Sequence, residues 1–297
     1  MSTSTPQRAA RGSRQRRRAA WSGALGALPF FLFMAAFLIL PIVANTLRAF
    51  QDPRGRFTLE TMAEALGPTY RSAFLQTMEI SVATSLIGGV LGMVLAWALV
   101  ATRRPRWLHG VTSSFAAMAS QSGGITLAYA FIALLGTQGV LTGVIDVLAP
   151  GLMERFPITG TVGVSVVYLY FQVPLMAVLM MPAMRAVRPA WRDAAITLGA
   201  TRAHYLRDIV IPILWHPLLG AMLLLFANAF AAYATAYALA GGTLNLVSIV
   251  IGFFISGNVL FNPGLAAALV TWMMLIIIAA VGVRVLLTRK SEQWLSS

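Results

Sequence analysis

The chain has no cysteine, a single lysine and few charged residues of either sign. Without cysteine it can form no disulfide and no thiolate metal site, and thiol catalysis is excluded. Charged residues make up 10% of its 297 residues, whereas an ordinary soluble domain has about 25%. Hydrophobic residues make up 58% and the mean hydropathy is +0.78. This composition predicts a polytopic membrane protein.

The single lysine also limits the enzymatic functions that the chain can have. A nucleotide-binding P-loop needs the pattern Gly-x-x-x-x-Gly-Lys-Ser/Thr, and Lys290 lies near the C-terminus without that context. Hydrolysis of ATP by this route is therefore excluded for the chain. No catalytic residue and no metal site is predicted.

Six segments are apolar over the roughly 20 residues that a membrane-spanning helix needs. They are 22–50, 74–100, 111–136, 160–184, 213–240 and 264–288. The apolar stretch 246–256 is too short to span, so we expect a re-entrant or protein-buried segment there. The predicted fold class is therefore all-α and polytopic, with six transmembrane helices.

Arginine placement predicts the orientation of these helices. Of the 22 basic residues, 17 fall in the N-terminal tail, the second and fourth connections and the C-terminal end, and these regions are expected to be cytoplasmic. Both termini are thus predicted to be cytoplasmic, and nucleic-acid binding is not expected because the charge is divided among loops of one membrane face. The predicted regions are a basic tail 1–21, a retained first helix 22–50, an external loop 51–73, a five-helix core 74–288 with a cytoplasmic loop 185–212, and a C-terminal end 289–297.

The fourth connection contains two short amphipathic helical patterns separated by Gly199. Pro189 suits the first position of a helix, and Gly199 suits the left-handed cap that ends one. Asp193 is expected in the first turn, where a carboxylate meets the positive end of the helix. One apolar face follows the helical spacing i, i+3, i+4, i+7, and it consists of Trp191, Ala194, Ala195 and Leu198.

The second helical pattern leads into the fifth predicted span. Thr201 is a candidate N-cap, and the apolar positions after it are Leu206, Ile209, Val210 and Ile213. Pro212 removes a backbone donor where the chain returns to the membrane, which allows a change of direction there. In so apolar a chain, an amphipathic element outside lipid indicates a surface on which a partner docks. Capping of a surface helix without any partner is the alternative.

The residues of this connection match a known pattern. Asp193-Ala194-Ala195, Gly199-Ala200 and Ile211-Pro212 resemble the EAA loop of binding-protein-dependent ABC importer permeases, and the loop stands before the penultimate span, as it does in that family. The usual glutamate is an aspartate here, which keeps the charge and shortens the reach. The resemblance extends over about 74–284 and implies the MetI-like fold of type I ABC importer permeases. Residues 134–141 and 72–84 are similar to the polyamine-type subgroup, which also contains permeases for iron, thiamine and phosphonate-like solutes.

The resemblance implies a pore subunit, not an enzyme, that carries a small solute such as spermidine or putrescine across a bacterial cytoplasmic (inner) membrane by alternating access. The implied partners are two ATP-binding cassette subunits that hold ATP and Mg, an extracytoplasmic solute-binding protein, and a second permease subunit. For the pair of permease subunits, the resemblance favours a heterodimer over a homodimer. No cofactor is implied in this chain itself. The residues implied to contact the ATPase are Asp193, Ala194, Ala195, Leu198, Gly199, Ala200, Leu206 and Pro212.

Polar groups within the predicted spans indicate a translocation path, because they are costly in lipid unless they face a cavity. The candidates are Glu79, Gln121, Gln172, Asn228 and Tyr233. For each, a hydrogen bond between helices is the alternative. Glu79 is the single carboxylate within a predicted span, where it suits attraction of a cation or an ion pair with Arg71 or Arg48. Gly123-Gly124 and Pro174 are positions at which helices are expected to bend.

Two other classes of protein compete with the importer permease. An ion-coupled secondary transporter or channel needs no ATPase, but such carriers often show buried ionisable relays and inverted repeats, and neither is visible in this sequence. A membrane scaffold without a pore is the other class. The sequence leaves open the solute, the type of dimer and the role of residues 244–256.

Overall fold

The computed structural model describes residues 28–52, 54–101, 106–256 and 262–295. Within these ranges the regular secondary structure is helical apart from one isolated bridge between Gln51 and Phe57, and turns and short loops join the helices. The helices are α1 Leu28–Ala49, α2 Glu60–Glu64, α3 Pro68–Ala101, α4 Arg106–Gln121, α5 Ile125–Leu135, α6 Val140–Leu148, α7 Leu152–Arg155, α8 Thr161–Ala186, α9 Pro189–Thr197, α10 Arg202–Phe230, α11 Ala234–Ala240, α12 Val247–Ser256 and α13 Pro263–Leu295.

Among the described residues, five helices are long and apolar enough to cross a membrane, namely α1, α3, α8, α10 and α13. The segment predicted as the third span is broken instead, because Ser114–Gln121 and Ile125–Leu135 meet at an angle of 97°. If this bent pair counts as one span, the total is six. A helix pairs all of its internal backbone groups, which explains why apolar segments of this length take no other form in lipid.

The fifth predicted span differs from the structure at both ends. It was expected over 213–240, but α10 begins at Arg202, ends at Phe230 and is followed by the separate helix α11. Pro212 allows a change of direction there, but the helix continues through it without a break. A π-helical turn at Leu206–Val210 comes directly before Ile211 and Pro212. Such a turn relieves the clash of the proline ring with the preceding turn, so the helix continues.

A second π-helical turn occupies the same place relative to a proline in α1. It covers Ala35–Ile39, and Pro41 lies in the first turn of the α-helical segment that follows. Residues 22–27 of the predicted first span lie outside the described residues. In α8, by contrast, Pro174 and Pro182 stand inside an uninterrupted helix, so the bend expected at Pro174 does not break it.

Glycines bring the central helices close together. The helices α3 and α8 pack along each other, and α10 packs against α3, α8 and α13. A methyl group at Gly92 of α3 would clash with Met176 of α8, and one at Gly89 would lie 2.7 Å from the Met222 side chain of α10. Small residues at such positions let helix backbones approach in lipid, where van der Waals packing is a main source of association.

The short helix α12 is buried on one side, while Phe253, Ile255 and Ser256 are exposed. Its residues Val247, Ser248, Ile249, Ile251 and Phe254 are buried, and the helix packs against α13 and α3. The Val247 N–H donates to the Thr77 hydroxyl of α3 over 3.0 Å. The segment is thus a helix of ten residues, shorter than a span as expected, and it is buried only in part.

Candidate functional site

Two interrupted helices face each other around a cavity of about 290 Å³. One interruption separates α4 from α5 at residues 122–124, and the other separates α10 from α11 at residues 231–233. The polar side chains of the lining are uncharged, and they are Ser120, Gln121, Asn228, Tyr233 and Thr235.

A single hydroxyl group joins the two interruptions. The Gly124 N–H donates to Thr235 Oγ1 over 2.8 Å, and Thr235 Oγ1 donates to the Gly124 carbonyl over 3.3 Å. Gly124 has φ +89° and ψ −159°, a conformation that is essentially restricted to glycine. The bend anticipated at Gly123-Gly124 therefore depends on the absence of a side chain at the second position.

The interruption after α10 has a different origin, because residues 231–233 contain neither glycine nor proline. The freed carbonyl of Ala232 accepts a hydrogen bond from the Tyr168 hydroxyl over 3.0 Å and one from Ser248 Oγ over 3.4 Å. A buried carbonyl without a partner is costly. Side chains from α8 and α12 thus stabilise the break from outside the segment.

Three of the five predicted path residues meet at this cavity. Gln121, Asn228 and Tyr233 line it, and Gln121 and Asn228 are exposed. The Tyr233 ring stacks on Tyr237 with 5.4 Å between centroids. Ser120 and Thr235 also line the cavity but were not predicted, because a serine or threonine within a helix is often satisfied by a backbone carbonyl of its own helix.

The other two predicted path residues lie elsewhere. Gln172 is fully buried between α8 and α3, where its Nε2 donates to Thr84 Oγ1 over 2.9 Å. Its Oε1 has no hydrogen-bond partner among the described residues. This geometry is the hydrogen bond between helices that was considered as the alternative. Glu79 is exposed on α3 and is not part of the cavity lining.

The amphipathic connection is bent at Gly199, as its sequence predicts. The Ala200 N–H donates to the Ala195 carbonyl and the Gly199 N–H to the Ile196 carbonyl, each over 2.9 Å. With Gly199 at φ +81°, these bonds form a Schellman motif that ends α9. Thr201 Oγ1 then accepts the His204 N–H over 3.3 Å and begins α10.

Exposure along this connection is uneven. Leu198 is 87% exposed, and Ile196 and Leu206 are each about half exposed. Asp193 and Ala194 are exposed, whereas Ala195 is buried and Ala200 is half-buried. The predicted apolar face is therefore only partly outward, and Ile196 was missed. Pro212 is exposed within α10.

The position expected for Asp193 within its helix was wrong. The helix α9 starts at Pro189, as predicted, and its first turn contains no acidic residue. Because Pro189 takes the first helical position, Asp193 falls one residue beyond that turn. Its carboxylate is therefore too far along the helix to cap the free N–H groups, and it projects into solvent.

The fold defines a class of protein. The structure superposes on the crystal structure of a bacterial ABC transporter involved in the import of the acidic polysaccharide alginate, with a TM-score of 0.70. The match covers 94% of this chain and 98% of that chain at 14% identity. A second structure of the alginate transporter, in complex with an alginate pentasaccharide-bound periplasmic protein, gives the same TM-score. The chain thus has the fold of ABC importer permeases.

Relatives found by sequence belong to the same class. The sulfate transport system permease protein CysT of Salmonella typhimurium is 25% identical over 213 residues, which cover 71% of this chain and 72% of CysT. The ferric transport system permease protein FbpB of Actinobacillus pleuropneumoniae is 24% identical over 233 residues. That match covers 78% of this chain but 33% of FbpB, so the chain spans about a third of the ferric permease. No family model matches the sequence.

These similarities confirm the predicted resemblance at the level of ABC importer permeases. Together with the apolar helices, they support a multi-pass membrane protein. The polyamine-type subgroup is not confirmed, because these two relatives are named for sulfate and ferric transport. The number of spans and the cytoplasmic placement of both termini stay predictions.

Proposed function

We propose that this chain is the pore-forming permease subunit of an ATP-driven importer that receives its solute from an external binding protein. The observation that carries the proposal is the bent connection, in which a Schellman motif at Gly199 fixes the angle between α9 and α10 and leaves Leu198 87% exposed. A large apolar side chain in that position suits a groove on a partner protein. The proposed partner is an ATP-binding cassette subunit.

The helix α10 gives this docking surface a mechanical connection to the cavity. It runs without interruption from Arg202 to Phe230, a length of about 43 Å at 1.5 Å per residue. Asn228 lines the cavity near its far end, and the interruption at 231–233 follows directly. A displacement of α9 by a closing pair of ATPases would therefore move one wall of the cavity. Alternating access of the cavity to the two sides of the membrane is the proposed result.

The rest of the assembly is proposed from the same class of transporter. Two ATP-binding cassette subunits would bind ATP and Mg, and a second permease subunit, in a heterodimer, would complete the pore. A solute-binding protein would dock on the face opposite α9. The complex of the alginate transporter with its periplasmic protein supports the solute-binding protein as a partner. The proposed location is the bacterial cytoplasmic membrane.

The cavity favours some solutes over others. Its polar lining consists of hydroxyl and amide groups, and no carboxylate is among the described residues that line it. A polyamine would find no countercharge in that lining, whereas hydroxyl and amide N–H groups can donate to the oxygens of an oxyanion. CysT is named for sulfate transport. A sulfate-type oxyanion is therefore the first candidate, and ferric iron, for which FbpB is named, is the second.

Co-purification with the ATPase tests the docking surface. Leu198→Asp places a charge at a position that is already in solvent, so it should leave the fold intact and reduce recovery of the ATPase with the permease. Leu59→Asp is the matched control, because Leu59 is 60% exposed and lies in the predicted external loop. Equal recovery of the ATPase with both variants would overturn the proposal.

Transport by the complete complex tests the rest of the function. Proteoliposomes that contain both permeases, the ATPases and the binding protein should take up labelled sulfate when ATP is supplied on the ATPase side. Uptake by this chain without any ATPase would point instead to an ion-coupled carrier. Uptake of spermidine but not of sulfate would refute the proposed solute while leaving the class of transporter intact.

A further inference from the structure

A second cavity, of about 330 Å³, lies on the outside of the helical bundle where the start of α3 approaches α13. We call it the Arg71 groove, and its lining residues are Leu66, Arg71, Phe74, Trp272 and Ile276. Of these five, Arg71 alone carries a charge. The groove is thus apolar along its walls and positive at one point.

Arg71 is exposed and forms no ion pair in the part of the chain that the structure describes. Among those residues, no carboxylate lies within ion-pair distance of its guanidinium group. Arg71 is the fourth residue of α3, which places it near a membrane interface, on the predicted external side. An arginine next to hydrocarbon favours a position from which it reaches an anionic partner or the headgroup region.

The opposite wall of the groove is fixed in place. The Trp272 indole N–H donates to the Met62 carbonyl over 3.1 Å, which ties α13 to the short helix α2. Ile276 follows on the same face of α13, about 6 Å further along the helix. Phe74 stands nearly one turn beyond Arg71 on α3 in the same way. The groove therefore has the Arg71 cation near the start of α3 and apolar walls that continue further along α3 and α13.

We propose that the Arg71 groove binds an anionic phospholipid, with the phosphate on Arg71 and an acyl chain along Phe74, Trp272 and Ile276. The arginine fork matches the geometry of a phosphate group, and the apolar walls match a hydrocarbon chain. One basic residue at an anionic lipid surface contributes enough free energy for about a fivefold change in affinity. This site requires only that the bundle lies in a bilayer, so it is independent of the proposed transport function.

Native mass spectrometry of the purified full-length protein tests the site directly. Phosphatidylglycerol is titrated against phosphatidylcholine of the same acyl chains, and the wild type should bind phosphatidylglycerol more tightly. Arg71→Gln should weaken phosphatidylglycerol binding about fivefold and leave phosphatidylcholine binding unchanged. Arg71→Lys should keep most of the preference, because it keeps the charge.

A matched control and a mapping experiment locate the effect. Arg54→Gln removes an exposed arginine of the predicted external loop outside the groove, and it should bind phosphatidylglycerol like the wild type. A photoreactive phosphatidylglycerol should label peptides that contain Phe74 or Ile276.

Four results would overturn the proposal. The first two are a wild type without preference for phosphatidylglycerol and an Arg71→Gln variant that binds phosphatidylglycerol like the wild type. The third is displacement of the lipid by inorganic phosphate, which would indicate a free-anion site. The fourth is loss of the labelling when a second permease subunit is assembled, which would indicate a protein interface.

Discussion

Substitution of Gly124 by alanine should disturb the cavity through the backbone alone. A methyl group at this position would meet no atom of the described residues within 4 Å, so no steric clash contributes. The residue has φ +89° and ψ −159°, however, and a side chain in such a conformation costs about 1–3 kcal/mol. We expect Gly124→Ala to lower the free energy of unfolding by that amount, or to move the Gly124 N–H away from Thr235.

The neighbouring glycine provides the control for this prediction. A methyl group at Gly123 would likewise have open space around it among the described residues, and the φ of Gly123 is not in the left-handed region. Gly123→Ala should therefore be neutral, or stabilising by up to about 1 kcal/mol. Thermal unfolding of both variants in detergent, followed by tryptophan fluorescence, measures the difference. If Gly124→Ala unfolds at the same temperature as Gly123→Ala, the bend between α4 and α5 does not depend on a glycine conformation.

Three further substitutions test other contacts by the same unfolding assay. Thr235→Val should cost about 1–3 kcal/mol because it leaves the Gly124 N–H unpaired, whereas Thr235→Ser should be close to wild type; equal losses in the two variants would show that the hydroxyl is not the link. Gly92→Ala should cost about 1–3 kcal/mol by overpacking between α3 and α8, and a wild-type unfolding temperature would contradict that close approach. Thr84→Val should cost about 1–3 kcal/mol because it removes the partner of the buried Gln172 amide, and combining it with Gln172→Leu should recover part of the loss. A double variant that loses the sum of both single effects would refute the pairing.

Local chemistry made the bent connection predictable from the sequence. Pro189, Gly199 and Thr201 each favour one backbone conformation through their own side chain or its absence, and the structure has them at the start, the end and the next start of helices. The exposure of the apolar residues was harder to predict. It depends on how α9 is rotated against its surroundings, and periodicity alone did not show that Ala195 is turned inward while Ile196 is exposed.

The break after α10 could not be predicted for a physical reason. Residues 231–233 favour a helix locally, and the interruption is stabilised by hydrogen bonds from Tyr168 and Ser248, which come from distant parts of the chain. Polar residues in spans pointed to the cavity through Gln121 and Asn228. The same rule selected Gln172, because composition does not distinguish a side chain that faces a cavity from one that bonds a neighbouring helix.

The π-helical turn at Leu206–Val210 sets the rotation of α9 and the start of α10 relative to the rest of α10. It holds one residue more than an α-helical turn, which corresponds to about 100° of rotation. Removal of Asp208, an exposed residue of this turn, would let the helix close regularly and leave the direction of α9 unchanged. If all residues of the turn were kept but closed as a regular α-helix, α9 would swing around the axis by about that angle. Every residue of the proposed docking surface would still be present, but the surface would face a different direction from the one in the structure.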